Sequence, residues 1–213
     1  MTRDTKRYDI FTTVSPQTVT SSTDATPIVV TKAAHGYATG DIVLIYGHAT
    51  NVAANGIYKI TVVTSSTFSL QDVNTGSNIA GTGAGAGSGG VMISPPKVVF
   101  CDDFTHAELQ IGTASSGNMT VKIAGSLGKN TATADGDTPN FGATVSAANN
   151  YTFLQVVDLE DNSAIDGGTG FVVSGTDAQR LYEININGIK YICLIPTAWS
   201  AGSITAKIKL YSI

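Results

Sequence analysis

Charge is what this 213-residue sequence has least of: Asp, Glu, Lys and Arg make up only 13% of it, about half the quarter usual in soluble domains. Lys and Arg number 12 against 16 Asp and Glu, for a formal net charge of -4, so there is no basic footprint for phosphates and nucleic acid is not an expected partner. Charge-driven disorder is excluded by the same balance, because 42% of the residues are hydrophobic. No run approaches the ~20 consecutive apolar residues of a membrane span, and residues 1–7 lack the apolar stretch of a signal peptide. Synthesis in a cytoplasm, with no membrane partner, is the expectation. Helical periodicity is missing too, since no apolar repeat at 3.6 residues outlasts about one turn. Coiled-coil heptads and β-helical repeats are absent, which argues against a long fibre. Only two cysteines occur, Cys101 and Cys193, without CxxC spacing; two buried thiols are expected rather than a zinc motif or a disulfide framework. Trp199 is the single tryptophan, which leaves no broad platform for stacking sugars or bases.

What the sequence has in quantity is strand signal. Ala107-Glu108-Leu109-Gln110-Ile111, Met119-Thr120-Val121-Lys122-Ile123 and Ile204-Thr205-Ala206-Lys207-Ile208-Lys209-Leu210 alternate apolar with polar, the pattern of antiparallel strands with one wet face. Asn187-Gly188 predicts a two-residue type I′ hairpin that pairs Ile186 with Ile189, Ile184 with Tyr191 and Tyr182 with Cys193. Asn55-Gly56 predicts another. The fold class is therefore all-β: a small N-terminal β-barrel and a C-terminal antiparallel, jelly-roll-like β-sandwich. The predicted divisions are an extended, polar arm over 1–22, the barrel over 23–80, a Gly-rich linker over 81–92 and the sandwich over 93–213. The arm has too little apolar content to order itself, so a neighbouring chain or particle is expected to order it.

Residues that carry chemistry elsewhere do so here in the wrong frames. Gly85, Gly87 and Gly90 match G-x-G-x-x-G, but a strand-like run and then Pro95-Pro96 follow where a helix is required. Ser126 lacks the G-x-S-x-G frame because position 124 is Ala. His35, His48 and His106 are too scattered for a metal site. Asp135 and Asp137 fail the EF-hand pattern at Pro139 and Ser146. They read, with Asp158, Glu160 and Asp161, as solvated loops. Asp102 and Asp103 are adjacent and point to opposite faces of any strand. Trp199 reads as a turn-edge core residue or a binding anchor. No catalytic, cofactor-binding or metal residue is expected, and no cofactor.

Two stretches resemble known modules. His35-Gly36-Tyr37-Ala38-Thr39-Gly40-Asp41-Ile42-Val43, then Asn55-Gly56-Ile57-Tyr58, then Thr67-Phe68-Ser69-Leu70 resemble the small β-barrel named after the first catalytic-cysteine half-domain of ubiquitin-activating enzymes, a module that recurs in structural proteins of tailed bacteriophages. Within that frame His35 is expected to be a packed or hydrogen-bonded turn residue. Leu109-Gln110-Ile111-Gly112, Val121-Lys122-Ile123-Ala124-Gly125-Ser126, Ile186-Asn187-Gly188-Ile189-Lys190-Tyr191-Ile192 and the run from Thr197 to Lys207 are similar to a phage-associated jelly-roll pattern. The resemblance implies a non-enzymatic virion structural protein, most plainly a capsid decoration or cement protein on the outer head shell. Its implied partners are the major capsid protein or another virion protein, and itself, as a trimer or dimer. The alternative is a carbohydrate- or receptor-binding module on a tail or head appendage.

Overall fold

The structure, a computed structural model of the chain, describes residues 4–15, 17–83, 91–93, 97–114, 118–128, 141, 151–175, 179–199 and 202–213. Among these residues there is no α-helix, and the strands are antiparallel throughout. Two compact units divide the chain: one takes Met1–Ser15, Lys97–Pro139 and Val145–Ile213, the other Pro16–Pro96 and Asn140–Thr144. In sequence order the second is inserted into the first.

The first unit begins with β1 (Thr5–Val14), and the inserted unit follows with β2 (Gln17–Thr18), β3 (Ser21–Ser22), β4 (Val29–Thr31), β5 (Ile42–Tyr46), β6 (Gly56–Thr64), β7 (Thr67–Gln71) and β8 (Val91–Ile93). Strands β2 to β8 form one sheet in the order β2-β8-β5-β6-β7-β4-β3. Its two end strands are consecutive in the chain. Segment 17–22 therefore pairs with β8 through Gln17 and Thr18 and with β4 through Ser21 and Ser22, and closes the sheet into a small barrel. Among the described residues, this closure leaves neither end of the sheet as a separate edge strand. Inside lie Val19, Ile28, Val30, Val43, Ile45, Ala54, Tyr58, Ile60, Phe68 and Leu70, which come from alternate positions of each longer strand. Leu44 and Tyr46 have the opposite parity and are nevertheless 0% exposed. The buried Phe141, whose carbonyl accepts the Ile57 N–H at 3.1 Å, is tied to the neighbouring strand.

The Gly-rich segment is not the boundary expected of a linker. Gly81 donates to the Ala25 carbonyl at 2.9 Å, and a Cβ on Gly83 would stand 2.3 Å from the Thr50 carbonyl oxygen. Glycine is what lets the two backbones meet there. Asn51, fully buried, donates to Ser22 Oγ at 3.0 Å and to the Thr23 carbonyl at 2.9 Å, and accepts the Thr82 N–H at 3.2 Å. After residues 84–90, which lie outside the described residues, β8 returns to pair with β5, so the barrel reaches residue 93 rather than 80. The hairpin expected at Asn55-Gly56 forms, though the dipeptide ends its loop and is not itself the turn. Strands β5 and β6 do pair, but across a nine-residue loop whose mouth Asn55 pins by bonding both the N–H and the carbonyl of His48, at 2.8 and 2.9 Å.

The remaining strands are β9 (Val98–Phe100), β10 (His106–Ala114), β11 (Asn118–Ser126), β12 (Thr152–Phe153), β13 (Val156–Asp158), β14 (Ala164–Ile165), β15 (Phe171–Ser174), β16 (Arg180–Asn185), β17 (Tyr191–Trp199) and β18 (Ser203–Tyr211). With β1 they make a sandwich: a six-stranded sheet β1-β18-β10-β16-β13-β14 and a five-stranded sheet β12-β11-β17-β9, with β15 also on β11. Ile10 and Ile208 of the first sheet meet Val99, Ile123, Ile192 and Leu194 of the second around a void of only about 10 Å³. The Phe171 and Tyr182 rings pack across the sheets at 4.1 Å.

Two expectations for this unit do not hold. Residues 1–22 are not an arm that waits for a neighbour: β1 runs along β18 from Thr5↔Tyr211 to Val14↔Ile204, and Ile10 and Phe11 are only 7% and 2% exposed. Arg7 and Asp9 occupy the wet side of this edge strand. The Asn187-Gly188 hairpin register is also absent, because β16 pairs with β10 and β13 whereas β17 pairs with β11 and β9. A turn does form there, with Ile189 donating to the Ile186 carbonyl at 2.9 Å. Only Gly188 of the pair has positive φ, at 78°, so the turn is type II and not I′. That geometry splays the flanking strands, and the chain crosses from one sheet to the other. Ile184, Ile186, Tyr191 and Cys193 are all buried, as expected. Gly188→Val should lower the free energy of unfolding by about 1 kcal/mol or more, because a β-branched residue resists that φ; urea titration of the variant checks it.

Candidate functional site: the outer face of the six-stranded sheet

Alternation along β1, β10, β16 and β18 sends Ala107, Leu109, Tyr182, Ile184, Ile208 and Leu210 into the core. The intervening side chains stand on the outer face, where register orders them into rows that run across four strands. The central row is Arg7, Lys209, Glu108, Glu183. On one side of it lie Asp9, Lys207, Gln110 and Leu181, on the other Thr5, Tyr211, His106 and Asn185. An open groove of about 490 Å³ runs among Arg7, Asp9, Lys207, Lys209, Glu108 and Gln110.

The hydrogen bonding of this face follows from the register. Lys209 Nζ bonds Glu108 Oε2 at 2.8 Å and lies 5.0 Å from the centre of the Tyr211 ring. Tyr211 donates its hydroxyl to Glu183 Oε1 at 2.7 Å, and its ring stacks with His106 at 5.6 Å. Lys207 and Asp9 approach to 4.0 Å. Gln110 donates to Gln179. No carboxylate pairs with Arg7 among the described residues. Glu108 and Glu183 oppose each other directly, an arrangement that disfavours a pair of like charges, and each is held by a different donor. The face offers donors and acceptors spread over a surface, which suits recognition.

The residues singled out in the sequence are placed elsewhere, with one exception. His106 belongs to this face. His35 is a buried turn residue of the barrel: Nδ1 accepts the Tyr37 N–H at 3.0 Å and Nε2 lies 3.0 Å from the Thr64 carbonyl, which puts the proton on Nε2. Asp41 closes the same turn by accepting the Ala38 N–H at 2.9 Å. Ser126 is buried and bonds both the N–H and the carbonyl of Gly128, at 3.1 and 2.8 Å. Asp102 and Asp103 are exposed in the turn after β9. Asp158 departs from the solvated-loop expectation: it is buried and takes the Arg180 guanidinium at 2.5 Å, while Glu160 reaches Arg180 at 3.0 Å. Both cysteines are free and buried, and burial pushes each thiol up to about 12, far from the thiolate a nucleophile requires. Gly85, Gly87, Gly90, Asp135 and Asp137, and the side chain of Trp199, lie outside the described residues. No group of three or more His, Cys, Asp or Glu among the described residues is placed to hold a metal ion. No helix among them is long and apolar enough to cross a membrane.

No family model matches the chain, and no curated protein does; the likeness of its first module to the half-domain of ubiquitin-activating enzymes thus gains no support. Among solved structures, the chain is similar to one described as the crystal structure of the PBSX exported protein XepA, at 8% identity and a TM-score of 0.35, over 99% of this chain and 85% of that one. A likeness of that size carries no argument about fold or function.

His48 stands apart from this face. It is 2% exposed in the barrel, and neither ring nitrogen has a hydrogen-bond partner among the described residues. Burial holds its pKa below the ordinary 6.5. The unfolded chain therefore takes up the proton first as the pH falls, so the contribution of His48 to stability is full above about 6.5 and is lost as the pH falls from there through the folded value. His48→Gln should remove that part of the acid sensitivity, read as a smaller difference in urea midpoint between neutral and mildly acidic pH than in the wild type.

Proposed function

We propose that the protein is a non-enzymatic structural component of a tailed-phage particle, a decoration or cement protein that docks on the outer head shell. The observation that carries this reading is the outer face of the six-stranded sheet. Its cations and carboxylates are ordered by strand register into rows across four strands, a surface built to meet another surface. The phage-associated jelly-roll pattern between residues 109 and 207 supports it. Particle docking through such a face is salt-sensitive, because its partly exposed charges are screened.

A second reading, a glycan-binding module on an appendage, is favoured by the groove itself, whose amide, carboxylate and ammonium groups flank the exposed Leu181. Purified heads that lack the protein should take it up to a fixed copy number, and Lys207→Glu should reduce that uptake by about tenfold. Binding to a glycan array with no uptake by heads would favour the second reading, and uptake by neither heads nor tails would overturn the first.

A further inference from the structure

We infer that the outer face of the six-stranded sheet is the contact between two copies of this chain, related by a two-fold axis that runs along the strands between β18 and β10. The inference rests on the docking reading of that face and names its occupant in the free protein: a second copy, which the head shell displaces on docking.

The central row carries its charges in two blocks. Across adjacent strands β1-β18-β10-β16 it reads Arg7, Lys209, Glu108, Glu183: two cations, then two carboxylates. A single chain gains least from that order. Like charges sit side by side at both ends, where an alternating order would pair every neighbour. Lys209 and Glu108 satisfy each other at the middle, and Tyr211 serves Glu183, which leaves Arg7 with no carboxylate among the described residues.

A second copy, laid face to face about an axis between β18 and β10, reverses the row. Strand β1 then lies over β16 and β18 over β10. Arg7 of each copy faces Glu183 of the other, and Lys209 faces Glu108. The flanking rows obey the same operation. Lys207 meets Gln110 and Asp9 meets Leu181 in one; Tyr211 meets His106 and Thr5 meets Asn185 in the other. No row brings like charges directly together. Strands are about 4.8 Å apart, so the four charges span roughly 14 Å, and the groove of about 490 Å³ between the rows leaves room for the long side chains of the opposite copy. An isologous contact of this kind closes on itself at two copies. With exposed ion pairs as its main attraction it is weak at high salt.

Sedimentation velocity on the full chain, with no particle present, tests this. The wild type is expected to form a dimer at low ionic strength whose dissociation constant rises by about tenfold in high salt. Arg7→Glu should weaken the dimer by at least about tenfold, and Arg7→Glu with Glu183→Arg should restore it, because the row stays self-complementary with its end charges exchanged. Circular dichroism that matches the wild type keeps the single variant informative, since Arg7 is an exposed position on an edge strand. A wild type that stays monomeric at every concentration, a trimer or larger closed assembly, or a dimer indifferent to Arg7→Glu would overturn the inference. A monomer that still occupies heads removes only the self-association. A dimer that occupies none removes only the particle role.

Discussion

The pairing of β1 with β18 is the contact on which the sandwich depends. It joins the first described strand of the chain to the last, and between them the polypeptide leaves the sandwich, builds the barrel and returns at residue 97. Closing so long an excursion costs less than intuition suggests, because loop entropy grows only with the logarithm of length. The return must still be secured by long-range backbone bonds. Strand β18 secures it by pairing on both sides, with β1 and with β10, and so holds the charged rows in register. The outer face exists only once that strand has two partners.

The barrel meets the requirement that backbone polar groups be paired in a different way. Two short strands, β2 and β3, use opposite sides of one stretch of chain, so that Gln17–Thr18 satisfies β8 and Ser21–Ser22 satisfies β4. Small polar residues do the rest. Asn51 bonds three other positions, and Gly83 lets the backbone approach residue 50. A composition poor in charge and rich in Gly, Ser, Thr and Asn is the counterpart of that economy: polar satisfaction comes from amides and hydroxyls at close range.

How much of this was legible depended on the distance over which each signal acts. The alternation in β10, β11 and β18 named the strands and their wet sides, and the run from His35 to Asp41 named a turn whose internal bonds the structure contains. These are local patterns. The role of β1 was hidden because Lys6, Arg7 and Asp9 look like an arm until β18 is placed beside them. The role of β8 was hidden by the glycines that precede it. At Asn187-Gly188 the dipeptide announces a turn without deciding between φ > 0 at one residue or at both, and that choice separates a hairpin from a crossover between sheets. The charged face was half legible: Glu108, Gln110, Lys207 and Lys209 were readable as outward, while the juxtaposition of Glu108 with Glu183 required knowing that β16 lies beside β10 and not beside β17.

The register of the outermost pair also sets how the fold bears load. Thr5 sits opposite Tyr211, so the two ends of the described chain emerge side by side at the same end of adjacent antiparallel strands. Tension applied through those ends does not shear the sheet along its length. It opens β1 from β18 like a zipper, one backbone bond at a time, beginning at the Thr5–Tyr211 tip. The sandwich is in this direction mechanically soft, and a stretched copy first peels Arg7 and Asp9 of the charged face away from β18, before Ile10 and Phe11 further along β1 are drawn out of the core.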